Sequence, residues 1–215
     1  MKNNFIKRIL TSVVLLILLF LMFLSKKILT TIFLLLGVLS ILEFFSITNK
    51  IFKNIFYKFS TNVIFISYIF IFCTFFIFAS NNYELKITLY ALILCCVGSD
   101  LGGYVIGKIL KGPKLTKISP SKTVSGSIGS LFFGSFFFSI IFFFITNQFN
   151  YQIFLIGIVT SISCQIGDLF FSYIKRKAFI KDSGKFLPGH GGALDRLDGI
   201  FFGIPLGFLT ILFLH

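Results

Sequence analysis

Seven runs of apolar residues, each about as long as a bilayer is thick, leave this chain few ways to fold. A helix needs roughly 20 apolar residues to cross the hydrocarbon, within a range of about 17–25. Residues 9–25, 28–48, 60–80, 87–109, 124–146, 153–171 and 199–214 meet that length or come close to it. The runs are unbroken and lack the stripe of an amphipathic helix, so lipid is the expected solvent on their outer sides. Charged residues fill only 13% of the 215 positions, about half the share of a soluble domain. The expected fold class is therefore all-α, a polytopic integral membrane helix bundle of about seven transmembrane helices. Lys7 and Arg8 precede the first run as in a signal peptide. No small-residue cleavage site follows, so that helix is expected to be retained. No linker divides the chain, and a single domain over 1–215 is expected, with N-terminal spans in 1–85 and the polar features in 86–215.

The basic residues orient the spans. With the N-terminus in the cytoplasm, 17 of the 20 Lys and Arg residues fall on the inner side, and only Lys26, Lys27 and Lys86 fall outside. An excess of Lys and Arg marks cytoplasmic loops, so the two longest polar segments, near 108–123 and 172–198, are expected on that face. The four cysteines, Cys73, Cys95, Cys96 and Cys164, lie inside apolar runs without zinc-ligand spacing and read as packing residues.

Carboxylates are scarce: Glu43, Glu84, Asp100, Asp168, Asp182, Asp195 and Asp198 are the seven. An ionisable group inside a span costs about 2.5–3.5 kcal/mol on insertion scales and points to function. Asp100 and Asp168 meet that description. Glu43 reads more readily as a carboxylate paired with a neighbouring lysine. Asp195 and Asp198 are three apart and share a face if the segment after Gly192 is helical. Two carboxylates on one face repel unless a cation lies between them, and an all-oxygen set suits a hard ion such as Mg²⁺ or Mn²⁺. Asp168 could complete such a site from the preceding span.

The polar segments read as phosphate-handling. Lys108 to Lys122 carries five lysines, and Ser119-Pro120-Ser121-Lys122-Thr123 opens the fifth span. Its hydroxyls and free backbone N–H groups, beside Lys122, are expected to form an anion site at a helix N-terminus. Pro188-Gly189-His190-Gly191-Gly192 precedes the Asp195 segment in the same way, and its glycines let backbone amides close on a phosphate. On base rates a lysine-rich loop is also a topology determinant or a lipid-headgroup contact. Together with three aspartates, these features point to Mg²⁺-assisted chemistry on a polyphosphate at the membrane surface.

The stretch from Ser172 to Asp198 resembles the signature of the phosphatidate cytidylyltransferase (CDP-diacylglycerol synthase) family. The matching residues are Ser172-Tyr173-Ile174-Lys175-Arg176, Lys181-Asp182-Ser183-Gly184, Leu187-Pro188-Gly189-His190-Gly191-Gly192 and Asp195-Arg196-Leu197-Asp198. Asp100 with Gly102 and Tyr104, Ser119-Pro120 with Lys122-Thr123, and Gly167-Asp168-Leu169-Phe170 are similar to the same family. The likeness covers roughly residues 90–200, and Glu43-Phe44 is its trace in the N-terminal part. Leu101, Val124, Ser125, Phe171 and Ala193 depart from the usual pattern without removing a carboxylate.

The resemblance implies a membrane-embedded nucleotidyltransferase, with 86–215 as its catalytic region. Its substrates would be CTP and phosphatidate, and its products CDP-diacylglycerol and pyrophosphate, an early step of phospholipid biosynthesis. It implies Mg²⁺, with allowance for a second metal ion, on Asp168, Asp195 and Asp198. Lys175, Arg176 and Lys181 join Asp195 and Asp198 as catalytic groups. Ser119, Lys122, Thr123, His190, Gly191, Gly192 and Arg196 are expected to bind CTP and its phosphates. His190 reads equally as a phosphate donor or a loop-ordering hydrogen bond, and Asp182 as a residue that orients Lys181 or caps a turn. The expected setting is a bacterial plasma membrane with the site on the cytoplasmic side, the lipid bilayer and a second copy in a homodimer among its partners, and no nucleic acid. The competing readings are a CTP-dependent enzyme acting on another lipid, a small cation transporter using Asp100 and Asp168, and a structural lipid-binding protein.

Overall fold

Helix boundaries in the chain follow local chemistry. In the computed structural model, which describes residues 14, 17–147, 150–184, 186 and 191–214, the named elements are six helices. They are α1 (Lys26–Ile51), α2 (Ile55–Ala79), α3 (Tyr83–Leu110), α4 (Val124–Thr146), α5 (Tyr151–Lys177) and α6 (Leu194–Leu214). All six contain a stretch long and apolar enough to cross a membrane, and the chain is a multi-pass membrane helix bundle. The first expected span, 9–25, is described at 14 and 17–25, and there 14 and 17–24 are helical.

Caps and breakers set the ends. Asn54 accepts a hydrogen bond from the Phe56 amide at 2.9 Å and opens α2. Thr123 does the same for α4 through the Gly126 amide at 3.1 Å, as N-cap residues do. Lys111 and Gly112 have positive φ, at 53° and 123°, and Pro113 follows, so α3 cannot continue. Asn147 closes α4 in the left-handed region. Large apolar side chains such as Phe70, Phe144 and Phe213 point outward and stay exposed, which only a lipid solvent tolerates at this density.

Two ends differ from the sequence expectation. The helix expected over 153–171 runs on to Lys177, and the one expected to begin at 199 begins at Leu194. The polar run 172–198, read as a loop, is thus helical at both ends. Lys175, Arg176 and Lys177 sit in the last turn of α5, and Asp195 in the first turn of α6. Each sign of charge complements the local end of the helix dipole.

The chain divides into two units, residues 1–85 with 174–197, and residues 86–173 with 198–215. In the first, α1 and α2 form a hairpin. Phe33 meets Phe76 with ring centroids 4.0 Å apart, Phe44 stacks on Phe65 at 3.9 Å, and Thr48 donates to Asn62 at 2.8 Å. In the second, α3 and α4 approach backbone to backbone. A β-carbon on Gly126 would stand 2.8 Å from the Gly103 carbonyl oxygen, and one on Gly129 would stand 2.8 Å from that of Gly102. Such small-residue contacts are how helices pack tightly in lipid. Buried hydroxyls add polar links, with Ser99 and Ser161 2.8 Å apart and Ser161 donating to the Ser130 carbonyl at 2.9 Å. All four cysteines are buried free thiols.

Candidate active site

In the second unit, the close approach of α3 and α4 ends in a polar cavity. It has a volume of about 460 Å³ and is walled by α3, α4, α5 and the turn before α4. Its chemistry-bearing lining is Asp100, Lys122, Thr123, Ser127, Gln165 and Asp168. Asp168 forms an ion pair with Lys122 and lies 3.5 Å from the Ser172 hydroxyl. Ser127 donates to Gln165 Oε1 at 2.5 Å. At Gly167, the residue before Asp168, α5 and α6 touch closely, since a β-carbon there would come within 2.5 Å of the Asp198 carbonyl oxygen. That crossing sets buried Asp198 beside the Asp168 level, where its Oδ1 accepts from the Gly199 amide at 2.9 Å.

The turn before α4 is organised differently from the expected open anion site. The Thr123 hydroxyl caps the Gly126 amide. The Val124 amide donates to the Pro113 carbonyl at 3.0 Å. The helix N-terminus thus satisfies these donors internally, and Lys122 is the charged group of this segment in the cavity lining, beside Ser121 and Thr123. Ser119 is buried, with its carbonyl accepting the Lys122 amide at 3.0 Å, so it shapes the turn and does not line the cavity.

In the first unit, the signature loop folds around two carboxylates. Asp195 Oδ1 accepts from Lys175 Nζ at 2.6 Å, and its Oδ2 accepts from the Ser183 amide at 2.8 Å and the Gly192 amide at 2.9 Å. The side chains of this Lys–Asp pair are only 10% and 9% exposed. Gly191 has φ +88°, and a β-carbon there would also crowd Asp195, so this position requires glycine. Glu43, from α1, accepts from the Ser183 hydroxyl at 2.6 Å and from the Ala193 and Leu194 amides at 2.9 Å each.

The residues expected at the site fall in both units. Among the described residues no three His, Cys, Asp or Glu side chains stand together as a metal-binding group. Asp168 holds Lys122 in the second unit, and in the first the two oxygens of Asp195 take three donors. The Gly192 amide, expected to face a phosphate, is spent on Asp195 for the same reason. Arg176, Lys181 and Arg196 are exposed, and Arg176 donates to the Ile180 carbonyl at 3.2 Å. His190 lies outside the described residues. Two carboxylates take places the sequence does not assign them. Asp100 lines the cavity, and Glu43, expected to pair with a lysine, takes a loop instead. Both were visible as rare carboxylates in apolar runs, but only the fold names their partners.

A cavity with paired charges, set in an apolar helix bundle, is the feature of a membrane protein that handles charged groups. The cytidylyltransferase family model matches residues 3–214, and the chain belongs to the cytidylyltransferase family. Proteins named phosphatidate cytidylyltransferase are similar to it. The one from Mycobacterium leprae is 39% identical over 112 residues, covering 52% of this chain and 36% of that protein. Those from Staphylococcus haemolyticus and Helicobacter pylori are each 39% identical, over 131 and 129 residues. They cover 60% and 57% of this chain, and 50% and 46% of the relatives. The chain thus spans about half the length, or less, of the curated relatives it matches.

Proposed function

We propose that the chain transfers a cytidylyl group from CTP to phosphatidate, giving CDP-diacylglycerol and pyrophosphate, at the cytoplasmic side of a bacterial plasma membrane. The observation that carries this reading is the Lys122–Asp168 pair in a polar cavity walled by membrane-length helices, in a chain of the cytidylyltransferase family. An oxygen of the phosphatidate phosphate attacks the α-phosphorus of CTP. The new P–O bond forms as the bond to the β-phosphate oxygen breaks, and both electrons of that bond leave with pyrophosphate. The attacking phosphate monoester is already largely ionised near pH 7, with a second pKa of about 6, so the reaction needs no side-chain base. Its obstacle is repulsion between two anions, which positioned cations relieve.

Lys122 fits that task. Its ammonium is held by Asp168 at the cavity wall, and an incoming phosphate competes for it with the same charge chemistry. Lys175, Arg176 and Lys181 supply further positive charge on the signature segment, with Arg196 beside them. The donor set of the cavity is all oxygen, with the carboxylates of Asp100 and Asp168 and the Ser127 hydroxyl, and this fits a hard divalent cation such as Mg²⁺. Asp168 and Asp100 would hold the ion, with Asp198 next to them, and bound Mg²⁺ would neutralise charge on the phosphates and the leaving group. Asp195, saturated by loop donors, is better suited to ordering the loop than to binding metal.

The test is an assay of the purified protein in detergent with phosphatidate and CTP labelled in the cytidine and in the γ-phosphate, with and without EDTA. The expected outcome is labelled CDP-diacylglycerol and labelled pyrophosphate, lost with EDTA and restored by Mg²⁺. Release of CDP with label transferred to the lipid would instead identify a lipid kinase, and no CTP turnover would defeat the reading.

A further inference from the structure

Glu43 is an acidic side chain in the middle of an apolar helix, and it takes its partners from a loop 140–151 residues away in sequence. Those partners belong to the two ends of one loop. Ser183 donates its hydroxyl to Glu43 and its amide to Asp195. At the start of α6, the Gly192 amide goes to Asp195, and the Ala193 and Leu194 amides go to Glu43. The two carboxylates therefore act as parallel staples across the same pair of segments. Between them they take the Gly192, Ala193 and Leu194 amides, where the chain enters α6 and intrahelical acceptors are missing.

We propose that Glu43 is a positioning residue: it clamps Ser183 to the start of α6 and so fixes the Asp195–Lys175 pair, with Lys175 held for substrate phosphate. This rests on the function proposed above for its catalytic consequence only. The chemistry of the site demands a carboxylate. Oε1 accepts from Ala193, while Oε2 accepts from Leu194 and Ser183. A glutamine turned either way would aim an NH₂ group at a backbone N–H, which cannot accept. An aspartate would fall one methylene short. The fit is close, because a β-carbon on Gly184 or Gly192 would run into the Glu43 carboxylate.

The experiment uses the full chain purified in detergent and reads two quantities. The first is the rate of trypsin cleavage after Lys181, an exposed residue in the clamped loop. Cleavage in the fast-reclosing regime tracks the population of the open loop. Loss of a hydrogen bond to a charged group should raise it about 10-fold or more in Glu43→Gln. Ser183→Ala, which removes one of the three donors, should raise it by a smaller factor. The double variant should cleave no faster than Glu43→Gln alone, because the two residues share one interaction. The second quantity is the KM–kcat split for CTP, expected as a rise in KM of about the same factor as cleavage. Wild-type cleavage rates in both single variants would overturn the clamp, and faster cleavage with unchanged KM and kcat would overturn its positioning role. Should Glu43→Gln not fold, Ser183→Ala alone decides between these outcomes. If the wild type makes no CDP-lipid, the activity reading fails on its own, while faster cleavage in Glu43→Gln still supports the clamp.

Discussion

Two ion pairs of the same chemistry do different work because they are buried to different degrees. Lys122 and Asp168 keep side-chain exposures of 26% and 31%. A pair this open contributes about 0–1 kcal/mol to stability, which leaves it free to exchange partners with a substrate. Asp168→Asn and Lys122→Ala should each lower CDP-lipid formation by about 100-fold, the scale of losing one fixed electrostatic group. Thermal unfolding in detergent should move little in either. Lys175 and Asp195 are only 10% and 9% exposed. Asp195→Ala would remove the carboxylate from a buried ammonium and two backbone amides, at a cost of about 3–5 kcal/mol. It should lose both melting temperature and activity, and the loss of stability should persist without substrate or Mg²⁺. If Asp195 were chiefly a metal ligand, its substitution would change the Mg²⁺ dependence and leave the melting temperature of the metal-free protein nearly unchanged.

At the scale of elements, the α3–α4 contact and the cap on α4 support the cavity from below. Gly126→Ala or Gly129→Ala would drive a β-carbon into a backbone carbonyl that cannot rotate away. Overpacking of this kind costs about 1–3 kcal/mol, measurable as a lower unfolding temperature. Thr123→Val keeps the shape of the side chain but removes the acceptor for the Gly126 amide, at about 1 kcal/mol. Because the capped turn carries Lys122, Thr123→Val should also raise KM for CTP more than it lowers kcat. Thr123→Ser should restore both, which would separate a cap from a direct phosphate ligand. The extension of α5 to Lys177 and the early start of α6 at Leu194 belong to this scale too. Hydropathy stops counting where charge begins, yet a helix tolerates Lys and Arg in its last turn and Asp in its first. Polar composition therefore hid helical structure at both ends of the signature segment.

For the whole molecule, the charge bias makes a topological prediction. The 17-to-3 split of basic residues assigns the Lys108–Lys122 segment to the cytoplasm and the uncharged 147–152 turn to the other side. In a variant lacking the four native cysteines, Lys117→Cys should react with a membrane-impermeant maleimide only after inverted vesicles are prepared. Asn150→Cys should react from outside intact cells. The opposite pattern would put the cavity on the wrong side for cytoplasmic CTP.

The sequence by itself determined the lipid solvent, the all-helical class, the approximate spans and the family, because length, apolarity and a dense local motif are one-dimensional properties. It also marked Asp100, Asp168, Asp195 and Asp198 as residues to watch, since a carboxylate is rare and costly in such a chain. It could not assign their partners. Asp168 meets a lysine 46 residues away, Glu43 meets a loop about 150 residues away, and Asp195 is filled by amides that spacing alone suggested for phosphate. Those pairings depend on which helix faces lie together, and that follows from three-dimensional packing, in which every buried donor must find an acceptor. Asp195 and Asp198 share a motif that Asp168 precedes, and the tertiary structure gives each of the three a different set of partners.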